Sequence, residues 1–223
     1  MTASTLKSIL ISLGAELSGI AGIDRFGDAP KGFHPTDVMK DCKSVITFAR
    51  RFPVVEGTLT DNNLYTKARD DITDRMDEIA NTLCDVLSIY GIKCTPISTC
   101  DSVLDESCGR WRSKLSIKHA AQACGIGTIG RHSLVISPEF GCMMWLGCVL
   151  SDAEFEADPM KESVCELCNR CVEACPVGAL DKPLMDQLAC DAYAYTDEGI
   201  VCHRCRDACP YNFGTLNASE SAL

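Results

Sequence analysis

The sequence predicts an α/β domain over residues 1–153 and a small ferredoxin-like, cysteine-rich module over residues 154–223. In the first part, helical patterns alternate with short apolar runs rich in β-branched residues, which is typical of a sheet covered by helices. In the second part, eight of the chain's 16 cysteines lie between Cys165 and Cys209. The acidic stretch from Ser151 to Pro159 is interpreted as the linker between the two parts.

Each element of the first part has its own pattern. Apolar residues at three- and four-residue spacing predict a first helix over 6–17 and a long helix over 63–90, which Gly91 is placed to end. Apolar runs rich in β-branched residues predict strands, one of them an edge strand because it contains a proline. The predicted strands are 44–49, 92–97 (the edge strand), 133–136 and 144–150, and a further helix is expected over 115–124.

The composition argues against several classes of protein. Hydrophobic residues make up 46% of the chain and charged residues 23%, so the chain can bury a core. No apolar run reaches the ~18 residues of a membrane span. The net charge of −10 disfavours a nucleic-acid partner. The first apolar run is interrupted at Glu16 and lacks the basic start of an export signal, so we expect a cytoplasmic protein with reduced thiols rather than a disulfide-bonded one.

A dense cysteine run opens the second part. Cys165, Cys168, Cys171 and Cys175, followed by Pro176, form the pattern C-x2-C-x2-C-x3-C-P of bacterial ferredoxins. Thiolates at every third position let a tight loop wrap one face of an iron–sulfur cube, and the proline stops the helix beyond the fourth ligand. Zinc sites usually contain two separated C-x2-C pairs, so the density of this run favours a [4Fe–4S] cluster over zinc.

A second cysteine set repeats the first with a longer first interval. The fourth cysteine of such a run ligates the other cluster in two-cluster ferredoxins, so we predict two [4Fe–4S] clusters with crossed ligands. The predicted ligand sets are Cys165, Cys168, Cys171 and Cys209 for the first cluster, and Cys175, Cys190, Cys202 and Cys205 for the second. A zinc site beside a single cluster is the alternative for the second set. His203 is interpreted as a loop residue rather than a ligand.

A glycine-rich segment matches the dinucleotide-binding pattern G-x-G-x-x-G letter for letter. That motif needs a strand before it and a helix after it, and here a helical pattern comes first and a strand-like run follows. The segment is therefore predicted to be a turn that lets the backbone approach a large ligand, with a plain tight turn as the alternative. The candidate cofactor contacts are Gly125, Gly127, Gly130, Arg131 and His132.

The same segment carries a resemblance to a known family. The stretch from His119 to Ile136 resembles "A-G-L-G-W-I-G-K-N-x-L-L-I" of the epoxyqueuosine reductase family, and the stretch from Gly141 to Asp152 is similar to its "G-x-x-x-x-L-G-x-x-L-T-D". Cys42 to Ile46 resembles its "a-k-S-V-I" strand. The resemblance implies a nitroreductase-like α/β domain that holds a cobalamin beside two [4Fe–4S] clusters, as in the related corrinoid reductive dehalogenases. The clusters would reduce cobalt.

The chain also departs from the family pattern. Thr128 stands where the family has tryptophan, and Arg131 stands where it has lysine. The position of the family's catalytic aspartate falls near Arg110 and Trp111, where this sequence has no aspartate. We also expect the family's tRNA-reading C-terminal extension to be missing. These departures predict a short relative that acts on another substrate or on a protein partner.

Three functional hypotheses follow from these patterns. The first is an iron–sulfur oxidoreductase of an anaerobic type that passes low-potential electrons to a cofactor, possibly cobalamin, or to a small-molecule substrate in the first part. The alternative is a ferredoxin-like electron-transfer protein that docks a donor or acceptor protein and has no second cofactor. The third is a redox sensor that uses the remaining cysteines. Lesser candidate groups are Cys100 with Cys108, the histidines His34 and His119, and the basic residues Arg110, Arg112, Lys114 and Lys118.

Overall fold

The computed structural model describes residues 1–56, 58–106, 108–194 and 201–214. The elements in chain order are α1 (Ala3–Ser12), β1 (Leu17–Gly22), a 3-10 turn (Ile23–Phe26), α2 (Pro35–Val38), β2 (Ser44–Arg51), α3 (Asn62–Ile89), β3 (Cys94–Ile97), β4 (Val103–Asp105), β5 (Arg110–Arg112), α4 (Ile117–Ala123), β6 (Thr128–Ile129), β7 (Val135–Ile136), β8 (Met144–Ser151), α5 (Arg170–Glu173), α6 (Gln187–Ala194) and α7 (Arg204–Asp207). The mixed α/β prediction is confirmed.

A four-stranded antiparallel sheet with the order β1-β2-β8-β3 forms the centre of the first part. Residues of β2 alternate between its two faces: Ile46 and Phe48 pack with α1 and α3, whereas Val45 packs with α4 on the opposite face. Because both faces are covered, the central strands are apolar along most of their length, as a buried strand requires. Strand β3 lies at one edge of this sheet, which confirms the edge position predicted for residues 92–97.

The helix predictions hold to different degrees. The long helix α3 runs from Asn62 to Ile89, close to the predicted bounds, and Asp61 caps its start by accepting two backbone N–H bonds. The first helix ends at Ser12, earlier than predicted, because Gly14 adopts a φ of +101° and turns the chain into β1. Leu17, which continues the apolar spacing in the sequence, is the first residue of β1 and not part of the helix.

The linker predicted over residues 151–159 is packed against the sheet. Phe155 is buried, and its backbone N–H donates to Ser44 Oγ at 3.0 Å. Asp158 covers the edge of β1, because its N–H donates to Ile20 O at 2.8 Å and its carboxylate accepts the Ile20 N–H at 2.9 Å. Lys7 also pairs with the Asp158 carboxylate. The stretch therefore protects an edge strand as well as connecting two parts.

Replacing Asp158 by alanine is expected to lower the free energy of unfolding by about 1 to 2 kcal/mol, because the N–H of the buried Ile20 loses its acceptor. Urea denaturation of the variant and the parent measures the difference. Glu156→Ala at an exposed position in the same stretch is the control, and its cost is expected to stay within about 0.5 kcal/mol. Equal costs for the two variants would contradict a specific role of Asp158.

The cysteine-rich part docks on α3 and β8. The ring of His203 stacks on Tyr65 at a centroid distance of 4.0 Å, and the Arg206 guanidinium lies 4.9 Å from the centre of the Trp145 ring. The Val201 N–H donates to Thr66 Oγ1 at 3.1 Å. These contacts bring the cysteine loop around α7 against the first part. None of the described helices combines the length and apolar character needed to cross a bilayer.

Candidate iron–sulfur site

The first predicted ligand set lines one cleft. Its thiols share the cleft with Arg131, His132, Ile136 and Tyr211, and the unfilled space, including solvent at the mouth, is about 320 Å³. The four thiols are Cys165, Cys168, Cys171 and Cys209. Burial and the charges of the other three members raise the pKa of Cys171. The fold thus brings Cys209, from the end of the second run, to the first three cysteines.

The thiols of the second predicted ligand set influence one another's pKa values. Burial raises the pKa of Cys190, and the charges of Cys202 and Cys175 add to this effect. Burial likewise raises the pKa of Cys205 to about 12; Arg206 opposes this shift, and Cys190 and Cys202 increase it. Cys171 of the first set also raises the pKa of Cys205, so thiols of both predicted sets influence this residue. The assignment of Cys175, from the first run, to the second set stays a prediction.

The local backbone fits iron–sulfur ligation. Leu167 and Asn169, between the ligand positions of the first run, have φ angles of 55° and 63°, so the loop curls tightly around the cleft. Backbone N–H groups point at the sulfurs: Arg131 N lies 3.4 Å from Cys165 Sγ, and Ala179 N lies 3.3 Å from Cys175 Sγ. Such hydrogen bonds stabilise thiolates and tune cluster potential. The donor set and the loop therefore suit a [4Fe–4S] cluster.

The glycine-rich segment packs against the chain itself. A Cβ on Gly125 would lie 2.2 Å from Pro159 O, and one on Gly127 would lie 2.3 Å from Ile136 O. A Cβ on Gly130 would lie 2.6 Å from Ile136 Cδ1. The backbone approaches account for Gly125 and Gly127 without a ligand, whereas Gly130 meets only side-chain atoms, and contact with a further cofactor stays a prediction. The segment follows α4 and leads into β6 and β7, so the strand–turn–helix order of a dinucleotide site is not present here.

The other two predicted cofactor contacts lie at the first cleft. Arg131 donates its backbone N–H to Cys165 Sγ, and its Nη1 donates to Lys182 O at 3.0 Å. His132 is buried, and its Nδ1 accepts the Leu134 N–H at 3.2 Å. The glycine turn therefore presents its last two residues to the first ligand set.

The basic residues predicted as a candidate group between Arg110 and Lys118 have different roles in the structure. Lys118 is half-buried and donates to Ser133 O at 2.9 Å. Burial and the charges of Arg110 and Arg206 lower its pKa, and the nearby Cys190 opposes this shift. Arg112 instead pairs with Asp105 at 3.0 Å, within a β4–β5 hairpin that the sequence did not reveal.

The lesser histidine and cysteine candidates lie away from the ligand sets. His34 caps the short helix α2, with its Nδ1 accepting from the Thr36 N–H. His119 Nδ1 shares a hydrogen bond with Ser116 Oγ at 2.7 Å. Cys100 and Cys108 are exposed. Local hydrogen bonds thus account for both histidines.

Comparison with known proteins shows what this chain is similar to. Residues 160–181 match the family described as "4Fe-4S binding domain". An epoxyqueuosine reductase of Prochlorococcus marinus (strain NATL2A) is 37% identical over 109 residues, which are 41% of this chain and 35% of that protein. One of Atelocyanobacterium thalassa (isolate ALOHA) is 27% identical over 207 residues, or 83% of this chain and 64% of that protein. The chain is related to the epoxyqueuosine reductases.

Solved structures share the fold of this epoxyqueuosine reductase-like chain. The epoxyqueuosine reductase of Bacillus subtilis superposes with a TM-score of 0.68 at 20% identity, covering 95% of this chain and 65% of that one. A reductive dehalogenase described with a mechanism for B12-dependent dehalogenation has a TM-score of 0.77 at 17% identity, covering 99% of this chain and 34% of that one. The chain spans less than two thirds of the curated relatives that it matches.

Sequence reasoning gave Cys142 no specific role, yet it lies at the first ligand set. A His132 ring nitrogen and the Cys142 and Cys209 sulfurs lie within 4.8 Å of one another. The nearby Cys142 and, to a smaller extent, His132 lower the pKa of Cys209 against the effect of burial. Cys142 has no ligand spacing in the sequence and reaches the cleft only because β8 and the turn before it pack there.

Replacing His132 by phenylalanine is expected to lower the midpoint potential of the cluster bound by Cys209. The Leu134 N–H occupies Nδ1, so the ring carries its proton on Nε2, beside the cysteine sulfurs. In the cluster-loaded chain this N–H, which has no other partner among the described residues, is placed to donate to the Cys209 sulfur. Its loss disfavours the more negative reduced cluster, by about tenfold in the reduction equilibrium, or ~59 mV for one electron. An EPR-monitored redox titration measures the shift. His119→Phe is the control, and an unchanged potential in the cluster-loaded His132 variant would contradict the expectation.

Proposed function

We propose that this epoxyqueuosine reductase-like chain is an iron–sulfur oxidoreductase that carries low-potential electrons on two [4Fe–4S] clusters with crossed ligands. The observation that supports this most directly is that one cleft is lined by the first three cysteines of the first run together with Cys209 from the second run. Clusters of this type exchange single electrons, at potentials set by hydrogen bonds and burial. The reduced compound is a cofactor or small molecule held by the first part.

Contacts with the first part support an electron path into the α/β fold. The first set adjoins the end of the glycine turn through Arg131 and His132. The second set adjoins Lys118 of α4, whose ammonium group also contacts the turn at Ser133 O. A half-buried cation near thiolate-bound iron offsets part of the negative charge that reduction adds. The first set therefore adjoins the glycine turn directly, and Lys118 links the turn electrostatically to Cys190 of the second set.

Cobalamin enters the proposal through resemblance, and a reductive dehalogenase that shares the fold is described with B12-dependent dehalogenation. Cobalamin would supply two-electron reduction at its cobalt. The candidate contacts along the turn remain Gly125, Gly127, Gly130, Arg131 and His132. The chain's own backbone already explains the missing side chains of Gly125 and Gly127, so these two glycines give no independent requirement for cobalamin.

An anaerobic EPR titration with dithionite tests the proposal, with and without added hydroxocobalamin. Two interacting [4Fe–4S]⁺ signals are expected from the cluster-loaded chain. A base-off Co(II) signal in the protein-bound fraction would support the cobalamin arm. A single cluster signal at full iron loading would overturn the two-cluster assignment. Cobalt that stays free while both clusters are reduced would direct the search to a different cofactor or to a partner protein.

The alternative function is an electron-transfer protein that docks a partner enzyme. The β4–β5 hairpin favours it, because Val103, Leu104 and Trp111 are exposed there. The hairpin contacts the second part where the Trp111 N–H donates to Gln187 Oε1 at 2.9 Å. An apolar surface beside cluster ligands suits transient docking of a redox partner. Under this alternative, both clusters are reduced and no cobalt signal appears in the protein fraction.

Binding of a nucleic acid is a third possibility that an experiment can test. One related structure is an epoxyqueuosine reductase with an epoxyqueuosine-modified tRNA stem loop. The net charge of −10 on this chain opposes binding to phosphates, so we propose a small molecule or a protein as its partner. Fluorescence anisotropy with a labelled tRNA stem loop at low salt measures whether the chain binds RNA. Salt-sensitive binding at micromolar concentration would overturn this part of the proposal.

A further inference from the structure

A pair of thiols lies in a groove away from both cluster ligand sets. Cys84 belongs to the second half of α3, and Cys94 is the first residue of the edge strand β3. Both are half-buried and line a solvent-open groove that also includes Asp85, Ser88 and Lys93. The groove holds about 740 Å³ of unfilled space, including the solvent at its mouth. A small molecule therefore has room to reach the two sulfurs.

The two thiols contact each other and are chemically unequal. Cys84 and Cys94 line the same groove, and each thiol shifts the pKa of the other. Cys84 lowers the pKa of Cys94; burial opposes this shift, and Ser151, the β8 residue paired with Cys94, assists it. Because the thiolate is the nucleophile in thiol–disulfide exchange, Cys94 is the attacking sulfur and Cys84 the neighbour that can resolve a mixed disulfide.

We propose that Cys84 and Cys94 form a thiol–disulfide exchange site for low-molecular-weight disulfides. The Cys94 thiolate attacks one sulfur of the substrate disulfide, so that a mixed disulfide forms and one thiolate leaves. Cys84 then loses its proton to solvent and attacks the Cys94 sulfur, which releases the second thiolate. The protein gains one disulfide and loses two thiol protons, and the substrate disulfide accepts the two electrons to become two thiols.

The site is separate from the clusters. Tyr65, which stacks on His203 of the cysteine loop, and Cys84 are both on α3. At the rise of an α-helix they are roughly 28 Å apart along the helix axis. Oxidation of the pair is therefore expected to leave the EPR signals of the clusters unchanged, which distinguishes this site from oxidative damage to cluster ligands.

Peptide mapping of the cluster-loaded chain tests the proposal. The chain is exposed anaerobically to glutathione disulfide, blocked with N-ethylmaleimide and digested with trypsin. Cleavage after Lys93 separates the two cysteines onto peptides 76–93 and 94–110. The expected product is this pair of peptides joined by one disulfide, with two fewer hydrogen atoms than the separate peptides. Fragmentation locates the bond at Cys84 and Cys94, because peptide 94–110 also contains Cys100 and Cys108.

Matched variants assign the two roles. Cys84→Ser is expected to accumulate a glutathione adduct on Cys94, because the resolving thiol is absent. Cys94→Ser is expected to form neither the adduct at Cys84 nor the cross-link, and Cys100→Ser is expected to form the cross-link as the parent does. The proposal is overturned if the parent forms no cross-link, if the cross-link uses Cys100 or Cys108, or if the Cys84 variant carries no adduct on Cys94.

Discussion

Replacing both Cys171 and Cys175 by alanine is expected to remove both clusters and lower the iron content from about eight atoms per chain to near zero. The two cysteines belong to the same run of the sequence, but the structure groups Cys171 with Cys165 and Cys209, and Cys175 with Cys190. Under crossed ligation each substitution therefore disables a different cluster. Iron analysis and EPR of anaerobically purified protein measure the loss.

The matched double variant replaces Cys175 and Cys190. These residues come from different runs but share one ligand set, so we expect about four iron atoms per chain to remain. Uncrossed ligation predicts the reverse order: the first double variant would keep one cluster and the second would keep none. Cys100→Ala at an exposed cysteine is the control and is expected to keep the full iron content.

Replacing Gly141 by alanine is expected to lower the free energy of unfolding by at least about 3 kcal/mol and to weaken iron binding at Cys209. A Cβ at this position would lie 1.9 Å from Tyr211 O and 2.5 Å from Asn212 C. These are backbone atoms two and three residues beyond Cys209, so the loop that supplies this ligand would have to move. Anaerobic chemical denaturation followed by circular dichroism and cluster absorbance measures both effects.

Gly91→Ala separates steric overlap from backbone strain. Gly91 has a φ of +73°, near the +60° of Gly141, but its Cβ would meet no atom within 4 Å. Its cost is expected to be about 1 kcal/mol, the penalty of the left-handed conformation alone. If Gly141→Ala and Gly91→Ala lost equal stability and retained equal iron, the result would contradict a role of the close Gly141–Tyr211 packing in holding the cysteine loop.

Local patterns determined much of this protein from its sequence. The apolar stripe of α3 predicted a helix, because apolar residues at helical spacing form one face that can be buried. Asp61 and Gly91 lie at the two ends of this helix. The cysteine spacing likewise predicted two ligand sets, and the structure brings the thiols of the first set to one cleft. The family resemblance came chiefly from the stretch from His119 to Ile136 and is supported by the comparisons.

Other features were decided only by tertiary packing. The β4–β5 hairpin has strands of three residues, too short for a periodic pattern to show. Cys142 has no motif, and its place beside Cys209 follows from the packing of residues distant in the chain. Asp158 looked like part of an acidic linker until the edge of β1 supplied its hydrogen-bond partners. Sequence patterns report local geometry, whereas long-range contacts form where separate segments meet, so only the fold shows them.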